Sequence, residues 1–424
     1  MKFVSTRKLS PPLLFSNAIV QSLAPDHGLF VPERFPQFAP KDFEGRESVA
    51  EIASHLLLPF LEGDPLAAQL NDICQVAFNF SVPLVFLEGH SACLELFHGP
   101  TAAFKDFGAR FLAECLIRSS PRKRHTIIVA TSGDTGGAVA AAFDGKPNVN
   151  VVLLFPKGKV SSRQQTQLTC WGENVHAFAV KGSFDDCQRM AKEALSDWEW
   201  QSEAGLLSAN SINIGRILPQ MAYYAAASLW YLRSQGRQPG FVVPTGNLGN
   251  ATAALWAKRV GLPIREVALA TNANRPISNY FLTGRWETLD TLSTLANAMD
   301  VGNPSNMERL LNLYPNLADL KQDVSSRSVS DIEISQTIVE VARKHQRVCC
   351  PHTATAFRTL AELPKNDWVV VETAHAAKFD AVVEPLIGHA VAVPEALAQL
   401  LDRPTRYSEI EASLDALRQV MEEV

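Results

Sequence analysis

The chain has 424 residues, of which 46% are hydrophobic and 20% are charged, and its formal net charge is −5 at pH 7. These values are typical of a folded protein with a large core, and they exclude a disordered chain, a coiled coil and a collagen. The slight acidic excess also argues against a surface for nucleic acid.

Cysteine usage and apolar segments indicate a protein of a reducing compartment. The seven cysteines are scattered and form no Cys-x-x-Cys pair, which is typical of free thiols rather than of a disulfide framework. Pro11 and Pro12 stand where a signal peptide would need an apolar helix. The uncharged stretch at residues 217–232 contains Pro219 and is too short to span a bilayer. We therefore expect a cytoplasmic protein with no membrane partner and a buried helix over 217–232.

Short apolar strands alternate with helices along most of the chain. A turn-rich opening leads to a helical pattern at residues 48–61, and further helical patterns follow at 138–143 and 251–260. Strands are predicted at 126–130, 149–155, 174–180, 241–244, 266–270 and 368–371. This alternation predicts an α/β fold of parallel sheets covered by helices on both faces. Ligands in such folds bind where strands end and helices begin, so we expect the functional residues directly after the strands.

The first candidate segment contains a lysine among aromatic residues. Lys105 lies between Phe104 and Phe107 and follows the turn Gly99-Pro100. Burial would lower the pKa of its amine and make it nucleophilic toward carbonyl groups. Alternatively, the lysine extends along an apolar surface and pairs with Asp106. This segment alone leaves both interpretations open.

Two glycine-containing turns follow predicted strands, at residues 131–137 and 244–250. Small residues and glycines allow backbone N–H groups to converge on an anion at the start of a helix. The first turn suits a carboxylate or a phosphate, and the second suits a phosphate. Neither turn contains the lysine of a Walker A motif. The first could also be an ordinary turn in which Asp134 or Thr135 caps the helix.

A hydroxyl completes the set of candidate groups. Thr373 follows the last predicted strand and could bond a ring nitrogen, although it could equally cap a helix. The four segments together offer an amine for an aldehyde, a phosphate cradle, an anion site for a carboxylate, and a hydroxyl for a heteroaromatic nitrogen. Pyridoxal phosphate (PLP) bound to an amino acid needs such a set.

Several longer motifs carry a resemblance to a known family. The chain resembles the threonine synthases, PLP enzymes of the tryptophan-synthase-β type, over nearly its whole length, on residues 94–108, 130–136, 208–216, 246–250, 297–301, 351–354 and 373–379. The resemblance implies fold type II, with two open parallel-sheet α/β domains and a small N-terminal domain. Residues 1–90 would form the N-terminal domain. Residues 91–424 would form the catalytic region, with the cofactor between two α/β subdomains.

The resemblance also implies an activity. The substrate would be O-phospho-L-homoserine, from which a PLP-dependent lyase eliminates the γ-phosphate and then adds water at the β-carbon. The products would be L-threonine and phosphate, in the last step of threonine biosynthesis. The protein would act as a monomer or a homodimer.

Cofactor roles are carried over by position. Lys105 would be the catalytic residue and would bind PLP covalently, while Asp134 would lie near the cofactor's 3-hydroxyl and Thr373 near its pyridine nitrogen. The cofactor phosphate would be held by the glycine-asparagine loop, which consists of Gly246, Asn247, Leu248, Gly249 and Asn250.

Substrate roles fall on the remaining segments. The substrate carboxylate would meet the amides and hydroxyls of the turn from Ser132 to Thr135. The substrate phosphate would bind the side chains of Asn210, Ser211 and Arg216, with help from Thr131 or Thr135. An arginine suits a phosphate because its planar guanidinium binds two oxygens at once.

Three positions depart from what is common among relatives. Leu248 replaces a frequent phenylalanine, which should not affect backbone amides. Gly215 precedes Arg216 where a larger residue is common, so we expect a looser backbone there. Asp134 stands where many relatives of this fold have asparagine. An ionised aspartate beside an ionised 3-hydroxyl is unfavourable, so one of the two is expected to carry a proton.

Other functions remain open from the sequence. A dehydratase or phospholyase of similar fold would deaminate serine, threonine or a phosphorylated analogue, giving a keto acid. A nucleotide-binding protein could use the glycine turns without any chemistry. A metal site at His352 or His375 lacks paired ligand spacing, and we expect none. His98 could also lie near the cofactor.

Overall fold

The computed structural model describes residues 1–119, 123–365 and 367–422. Its strands are β1 Phe3–Ser5, β2 Phe30–Pro32, β3 Leu84–Phe86, β4 Ser91–Glu95, β5 His125–Ala130, β6 Val149–Pro156, β7 Val175–Lys181, β8 Leu206–Ser208, β9 Gly240–Pro244, β10 Val267–Thr271, β11 Val324–Ser328, β12 Trp368–Glu372 and β13 Ser408–Glu411. The strands predicted from the sequence are confirmed as β5, β6, β7, β9, β10 and β12.

Helices connect and cover these strands. They are α1 Phe15–Gln21, α2 Val49–Leu57, α3 Leu70–Ala77, α4 Lys105–Ser119, α5 Asp134–Phe143, α6 Ser162–Thr169, α7 Phe184–Ser196, α8 Trp198–Ala204, α9 Ile214–Ile217, α10 Met221–Gln235, α11 Gly249–Arg259, α12 Pro276–Thr283, α13 Met307–Leu313, α14 Leu317–Asp323, α15 Asp331–His345, α16 Pro351–Leu360, α17 Asp380–Ile387, α18 Glu395–Leu401 and α19 Leu414–Met421. Short 3₁₀ helices lie at Pro40–Phe43, Leu58–Leu61, Pro65–Gln69, Leu218–Gln220, Asn297–Met299 and Ala376–Phe379.

Two α/β sheets form the frame of the molecule. A five-stranded sheet has the order β13-β7-β6-β5-β8 with parallel pairing throughout. A six-stranded sheet has the order β11-β10-β9-β12-β4-β3 and is parallel except at β3, which pairs antiparallel with β4. Strands β1 and β2 make a separate antiparallel ribbon. The expectation of two mainly parallel sheets is confirmed, with an antiparallel edge strand as the exception.

Buried side chains join the N-terminal segment to the rest of the chain. Phe15 of α1 contacts Phe111 of α4 with ring centroids 6.3 Å apart, and both belong to one continuous apolar core. Strand β3 lies before residue 90 but pairs with β4 beyond it. We propose residues 1–90 and 91–424 as the two domains, with β3 contributed by the first to the sheet of the second.

Proline changes the form of the predicted helix at 217–232. Pro219 lies in the 3₁₀ turn Leu218–Gln220, and the regular helix α10 begins only at Met221. Proline has no N–H to donate within a helix, so it favours this helix start. The segment is buried as expected. In the part of the chain that the structure describes, no helix combines the length and the apolar character needed to cross a membrane.

Candidate active site

A cavity lies where β5, β8, β9 and β12 end and where α4, α5 and α11 begin. It has about 970 Å³ of empty space, part of it open to solvent, and its walls include all fourteen residues predicted above as cofactor or substrate ligands. These are Lys105, Thr131, Ser132, Asp134, Thr135, Asn210, Ser211, Arg216, Gly246, Asn247, Leu248, Gly249, Asn250 and Thr373. The fold therefore brings five segments that are distant in the chain together at one site.

Lys105 is the first residue of α4 and lines the cavity. The preceding residue is fixed because the Phe104 N–H donates to the Thr373 carbonyl, 2.9 Å away. Burial lowers the pKa of Lys105 to about 8, although the nearby Asp134 opposes the shift. The alternative pairing with Asp106 is wrong, because that carboxylate accepts from the N–H and hydroxyl of Thr101 at 2.9 and 2.6 Å.

The turn after β5 is organised by a threonine hydroxyl. Thr131 Oγ1 accepts from the N–H groups of Gly133 and Gly136 at 3.0 and 2.8 Å. Gly133 has φ of +132° and is the N-cap residue of α5, a conformation that L residues rarely adopt. The interpretation of Asp134 or Thr135 as the cap is therefore wrong. Both residues instead belong to the first turn of α5 and line the cavity.

Asp134 is buried in an ion pair that the sequence did not reveal. Its Oδ1 lies 2.8 Å from Lys378 Nζ, and both side chains are almost inaccessible to solvent. Gln164 Nε2 also donates to Oδ1, at 3.2 Å. Burial alone would raise the pKa of Asp134, but the ammonium of Lys378, with Lys105 and His352, outweighs burial and holds this pKa well below its usual range. Asp134 is therefore ionised.

The glycine-asparagine loop connects β9 to α11. Gly246 must be glycine, because a Cβ there would lie 2.6 Å from the Met299 carbonyl oxygen. The positive φ falls on Leu248, at +59°, rather than on a glycine or an asparagine. Leu248 is the N-cap residue of α11. Successive N–H groups at the start of this helix suit an anion.

Two tyrosines of α10 fix the amide of Asn250. The hydroxyls of Tyr223 and Tyr224 lie 2.7 and 2.6 Å from Asn250 Oδ1. In this orientation the amide oxygen faces the two hydroxyls, and the amide nitrogen is on the opposite side. Among the described residues, the buried Nδ2 has no hydrogen-bond partner. A buried donor without a partner is costly, so this atom fits an incoming acceptor such as a phosphate oxygen.

Ser211 lies opposite the loop and accepts two hydrogen bonds. Asn247 Nδ2 and Asn306 Nδ2 donate to its hydroxyl oxygen at 2.8 and 3.0 Å. Its own proton is thereby left to donate elsewhere. The fully buried Arg309 supports this arrangement by donating to the Ser211 carbonyl at 2.7 Å.

Arg216 is buried and forms no ion pair with any residue in the described ranges. Its guanidinium donates to the carbonyls of Ala209 and Lys105, the second at 3.4 Å, while Nε has no hydrogen-bond partner among the described residues. Burial lowers the pKa of Arg216 to about 10, so it stays charged at neutral pH. The carboxylate of Asp106 acts on this guanidinium without forming an ion pair with it, so the buried cation still suits an anionic ligand.

The expected looseness before Arg216 is wrong. The Gly215 N–H donates to Asn213 Oδ1 at 2.9 Å, which caps α9. A Cβ at Gly215 would lie 2.7 Å from Leu112 Cδ1 and 2.9 Å from Ile19 Cγ2. The glycine therefore permits close packing of α9 against two neighbouring helices.

Histidine roles also become clear. His375 Nδ1 accepts from the Ala377 N–H at 3.2 Å and caps the following 3₁₀ helix, so the reading of Thr373 as the cap is wrong. His98 binds Glu95 at 2.6 Å and does not line the cavity. His352 does line it, and burial lowers the pKa of His352 to about 4, so this side chain is neutral near pH 7. The described residues contain no cluster suited to a metal ion.

Comparison with known proteins identifies the family. The family described as pyridoxal-phosphate dependent enzyme matches residues 83–374, and the threonine synthase N-terminal and C-terminal families match 2–78 and 352–421. Threonine synthase of Escherichia coli is 37% identical over 99% of both chains, and that of Haemophilus influenzae is 39% identical over 95% of both. The chain belongs to the threonine synthase family.

Solved structures of this family have the same fold. The Escherichia coli enzyme superposes with a TM-score of 0.93 at 37% identity and covers the whole of both chains. PLP-bound threonine synthase from Brucella melitensis gives 0.93 at 35% identity, over 100% of this chain and 99% of that one. The chain is thus a PLP-dependent lyase of fold type II.

The residues that line the cavity fit PLP, the cofactor of this family. It contains a buried amine of lowered pKa in Lys105, an unpartnered amide donor in Asn250, and a glycine whose Cβ would fill the loop at Gly246. A lysine, a phosphate cradle and a polar group for the ring are what PLP requires.

Sequence reasoning missed several side chains that organise the site. Lys378, Gln164 and the tyrosines of α10 contact the predicted site residues from other segments of the chain. His352 was considered only as a metal ligand. Lys378 and His352 lie inside motifs that carried the family resemblance, and that is the one signal that could have found them.

Proposed function

We propose that the protein converts O-phospho-L-homoserine and water into L-threonine and phosphate, by elimination of the γ-phosphate and addition of water at the β-carbon. The observation that carries this proposal is the presence of two separate anion sites in one cavity. Asn250 offers an amide nitrogen without a partner, and Arg216, from another segment of the lining, offers a buried guanidinium that makes no ion pair and whose Nε has no partner among the described residues. One suits the cofactor phosphate and the other the phosphate of the substrate.

Cofactor contacts follow from the walls of the cavity. Lys105 would hold PLP covalently, the loop from Gly246 to Asn250 would bind its phosphate, and Thr373 would bond its ring nitrogen. Asp134 would lie near its 3-hydroxyl. When bound, PLP supplies an electron-withdrawing ring that stabilises negative charge on the substrate carbon next to the amino group.

Lys105 is suited to move protons in this reaction. Its lowered pKa of about 8 gives a substantial fraction of neutral amine near physiological pH, and an amine that is both acid and base near that pH transfers protons efficiently. We assign to its Nζ the removal of a proton from the α-carbon and then of one from the β-carbon, which lets the γ-phosphate leave. The two protons are returned to the γ-carbon and the α-carbon as water adds at the β-carbon.

Arg216 and Ser211 would bind the substrate phosphate. The guanidinium supplies charge, and the Ser211 hydroxyl has its proton free because two amides already donate to its oxygen. As the phosphate leaves it gains charge, so both contacts strengthen during departure. Asn210 already spends one amide hydrogen on the Ala130 carbonyl, at 2.9 Å, and would use the second one.

The substrate carboxylate would bind at the turn between Ser132 and Thr135. Thr131 shapes this turn through two accepted hydrogen bonds, and backbone N–H groups at the start of α5 suit a carboxylate. Holding carboxylate and phosphate at opposite ends fixes the substrate relative to Lys105.

An assay of products from O-phospho-L-homoserine tests this function. We expect equal amounts of phosphate and L-threonine, dependent on PLP. Phosphate with a keto acid and ammonia instead of threonine would indicate a phospholyase. Deamination of serine or threonine at a higher kcat/KM would indicate a dehydratase. A cytoplasmic location and a monomeric or homodimeric state complete the proposal, and analytical ultracentrifugation with bound PLP distinguishes the two states.

A further inference from the structure

A buried lysine outside the predicted ligand set contacts the aspartate of the site. Lys378 is fully inaccessible to solvent, lies 2.8 Å from Asp134 Oδ1, and donates to the Thr101 carbonyl at 2.7 Å. It is held in the 3₁₀ helix Ala376–Phe379, which His375 caps. Lys378 does not line the cavity, whereas Asp134 does. The lysine therefore acts on the site through the aspartate.

The charge of Asp134 depends on what surrounds it. Lys378 approaches it from the 3₁₀ helix, Lys105 from α4, and His352 and Cys350 from the region of α16. His352 is neutral near pH 7 because burial lowers its pKa to about 4. Burial raises the pKa of the Cys350 thiol to about 11, so it carries no charge either. The permanent counter-charge thus comes from Lys378, since Lys105 would be engaged by the cofactor.

We propose that Lys378 is a positioning residue that keeps Asp134 ionised beside the bound cofactor. This inference rests on the proposed function, in which Asp134 lies near the cofactor's 3-hydroxyl. The sequence suggested that one of these two groups must carry a proton. With the ammonium of Lys378 in place, the carboxylate is neutralised as an ion pair, and no proton needs to be held between Asp134 and the cofactor oxygen.

Removing the ammonium changes this balance. A buried carboxylate that loses its counter-ion takes up a proton rather than remaining an unpaired charge. In Lys378→Met, Asp134 would therefore titrate within the working pH range. The substitution leaves the Thr101 carbonyl with a donor, because Gln167 Nε2 also bonds it, at 3.1 Å. The backbone around Thr101, which precedes α4, should therefore keep its conformation in Lys378→Met.

The test is an absorbance titration of PLP-bound protein without substrate. We expect Lys378→Met to show an additional pH-dependent spectral transition, with its midpoint roughly between pH 5 and 9. That transition should be absent from the wild type and from the double variant Asp134→Asn/Lys378→Met. Lys146→Met is the matched control, because it removes a lysine from the ion pair with Glu114 outside the cavity. A titration of Lys378→Met identical to that of the wild type overturns the proposal.

A second measurement separates this inference from the proposed function. In cofactor-free protein, Lys378→Met should lower the urea midpoint of unfolding more strongly when Asp134 is present than in the Asp134→Asn background. Equal losses in both backgrounds would overturn the ion-pair role, even if PLP binds normally. Failure of wild-type protein to bind PLP would instead overturn the proposed function. If Lys378→Met cannot be loaded with PLP, Lys378→Gln is titrated in its place.

Discussion

The two walls of the cavity differ in how their polar groups are used. The cofactor wall, formed by Lys105, residues 246–250 and Thr373, includes the unpartnered amide nitrogen of Asn250. The substrate wall, formed by Thr131, Ser132, Thr135, Asn210, Ser211 and Arg216, has several side chains already bonded to nearby backbone groups. Each wall also keeps an unpartnered buried donor, Nδ2 of Asn250 on the cofactor wall and Nε of Arg216 on the substrate wall. The first belongs to an uncharged amide and the second to a guanidinium, and the charged donor suits a leaving phosphate that gains charge during the reaction.

Replacing Lys105 by alanine is the strongest test of the cofactor wall. Loss of proton transfer alone should lower kcat by on the order of 10²–10⁴-fold, and the absorbance of covalently held PLP should disappear. Threonine formation and visible absorbance are measured together. Lys146→Ala is the control because that lysine lies outside the cavity. Turnover near the wild-type value would contradict the assignment of Lys105.

On the substrate wall, Arg216→Ala should lower kcat/KM by roughly 10²–10³-fold. The expected loss follows from removing the one guanidinium in the cavity lining, at the point where the leaving phosphate gains charge. KM for phosphohomoserine should rise while PLP occupancy stays unchanged. Arg189→Ala, at an exposed ion pair, controls for general destabilisation. Loss of PLP from Arg216→Ala would indicate that the arginine binds the cofactor phosphate, which would contradict its assignment to the substrate phosphate.

Arg216→Lys sharpens the same comparison. Lysine keeps the charge but cannot bind two phosphate oxygens in the planar geometry of a guanidinium. We expect an intermediate kcat/KM between those of the wild type and Arg216→Ala. If Arg216→Lys is as active as the wild type, the contact is one of charge alone.

The orientation of the Asn250 amide in the cofactor wall is tested at Tyr224. Removing its hydroxyl in Tyr224→Phe releases one of the two bonds that orient the Asn250 amide, which should weaken PLP binding about tenfold, equivalent to ~1.4 kcal/mol. Equilibrium binding by fluorescence measures the affinity. Pyridoxal, which lacks the phosphate, should bind equally well to both proteins. Tyr231→Phe is a matched control on the same helix, where the hydroxyl bonds Asp367 at 2.8 Å. Equal weakening for pyridoxal would contradict a role at the phosphate.

The strands that carry both walls were predictable from the sequence. Buried runs rich in β-branched residues, such as 126–130, favour a strand over other secondary structure. Strand β8 escaped prediction because it is only three residues long, and β4, Ser91–Glu95, lacks β-branched residues. Both become strands by pairing with neighbours that the local sequence does not specify.

The candidate site was predictable as a set of residues but not as a set of contacts. The positions of polar and ionisable residues after strands, together with the family resemblance, were enough to predict that Lys105 and Thr373 lie in one site. The left-handed conformation of Leu248 could not be foreseen, since non-glycine residues rarely adopt it. The pairing of Asp134 with Lys378 depends on packing between elements far apart in the chain.

The smallest expected effect concerns the amine of the cofactor wall. Because burial lowers the pKa of Lys105 to about 8, the neutral amine that attacks an aldehyde increases as pH rises through this value. The rate of PLP uptake by cofactor-free protein should therefore rise about threefold between pH 7.5 and 8.5. Stopped-flow absorbance measures this rate, and N-acetyl-lysine amide, with an ordinary amine, is the reference. A tenfold rise, as for the reference amine, would show that the cofactor wall does not desolvate Lys105 before the cofactor arrives.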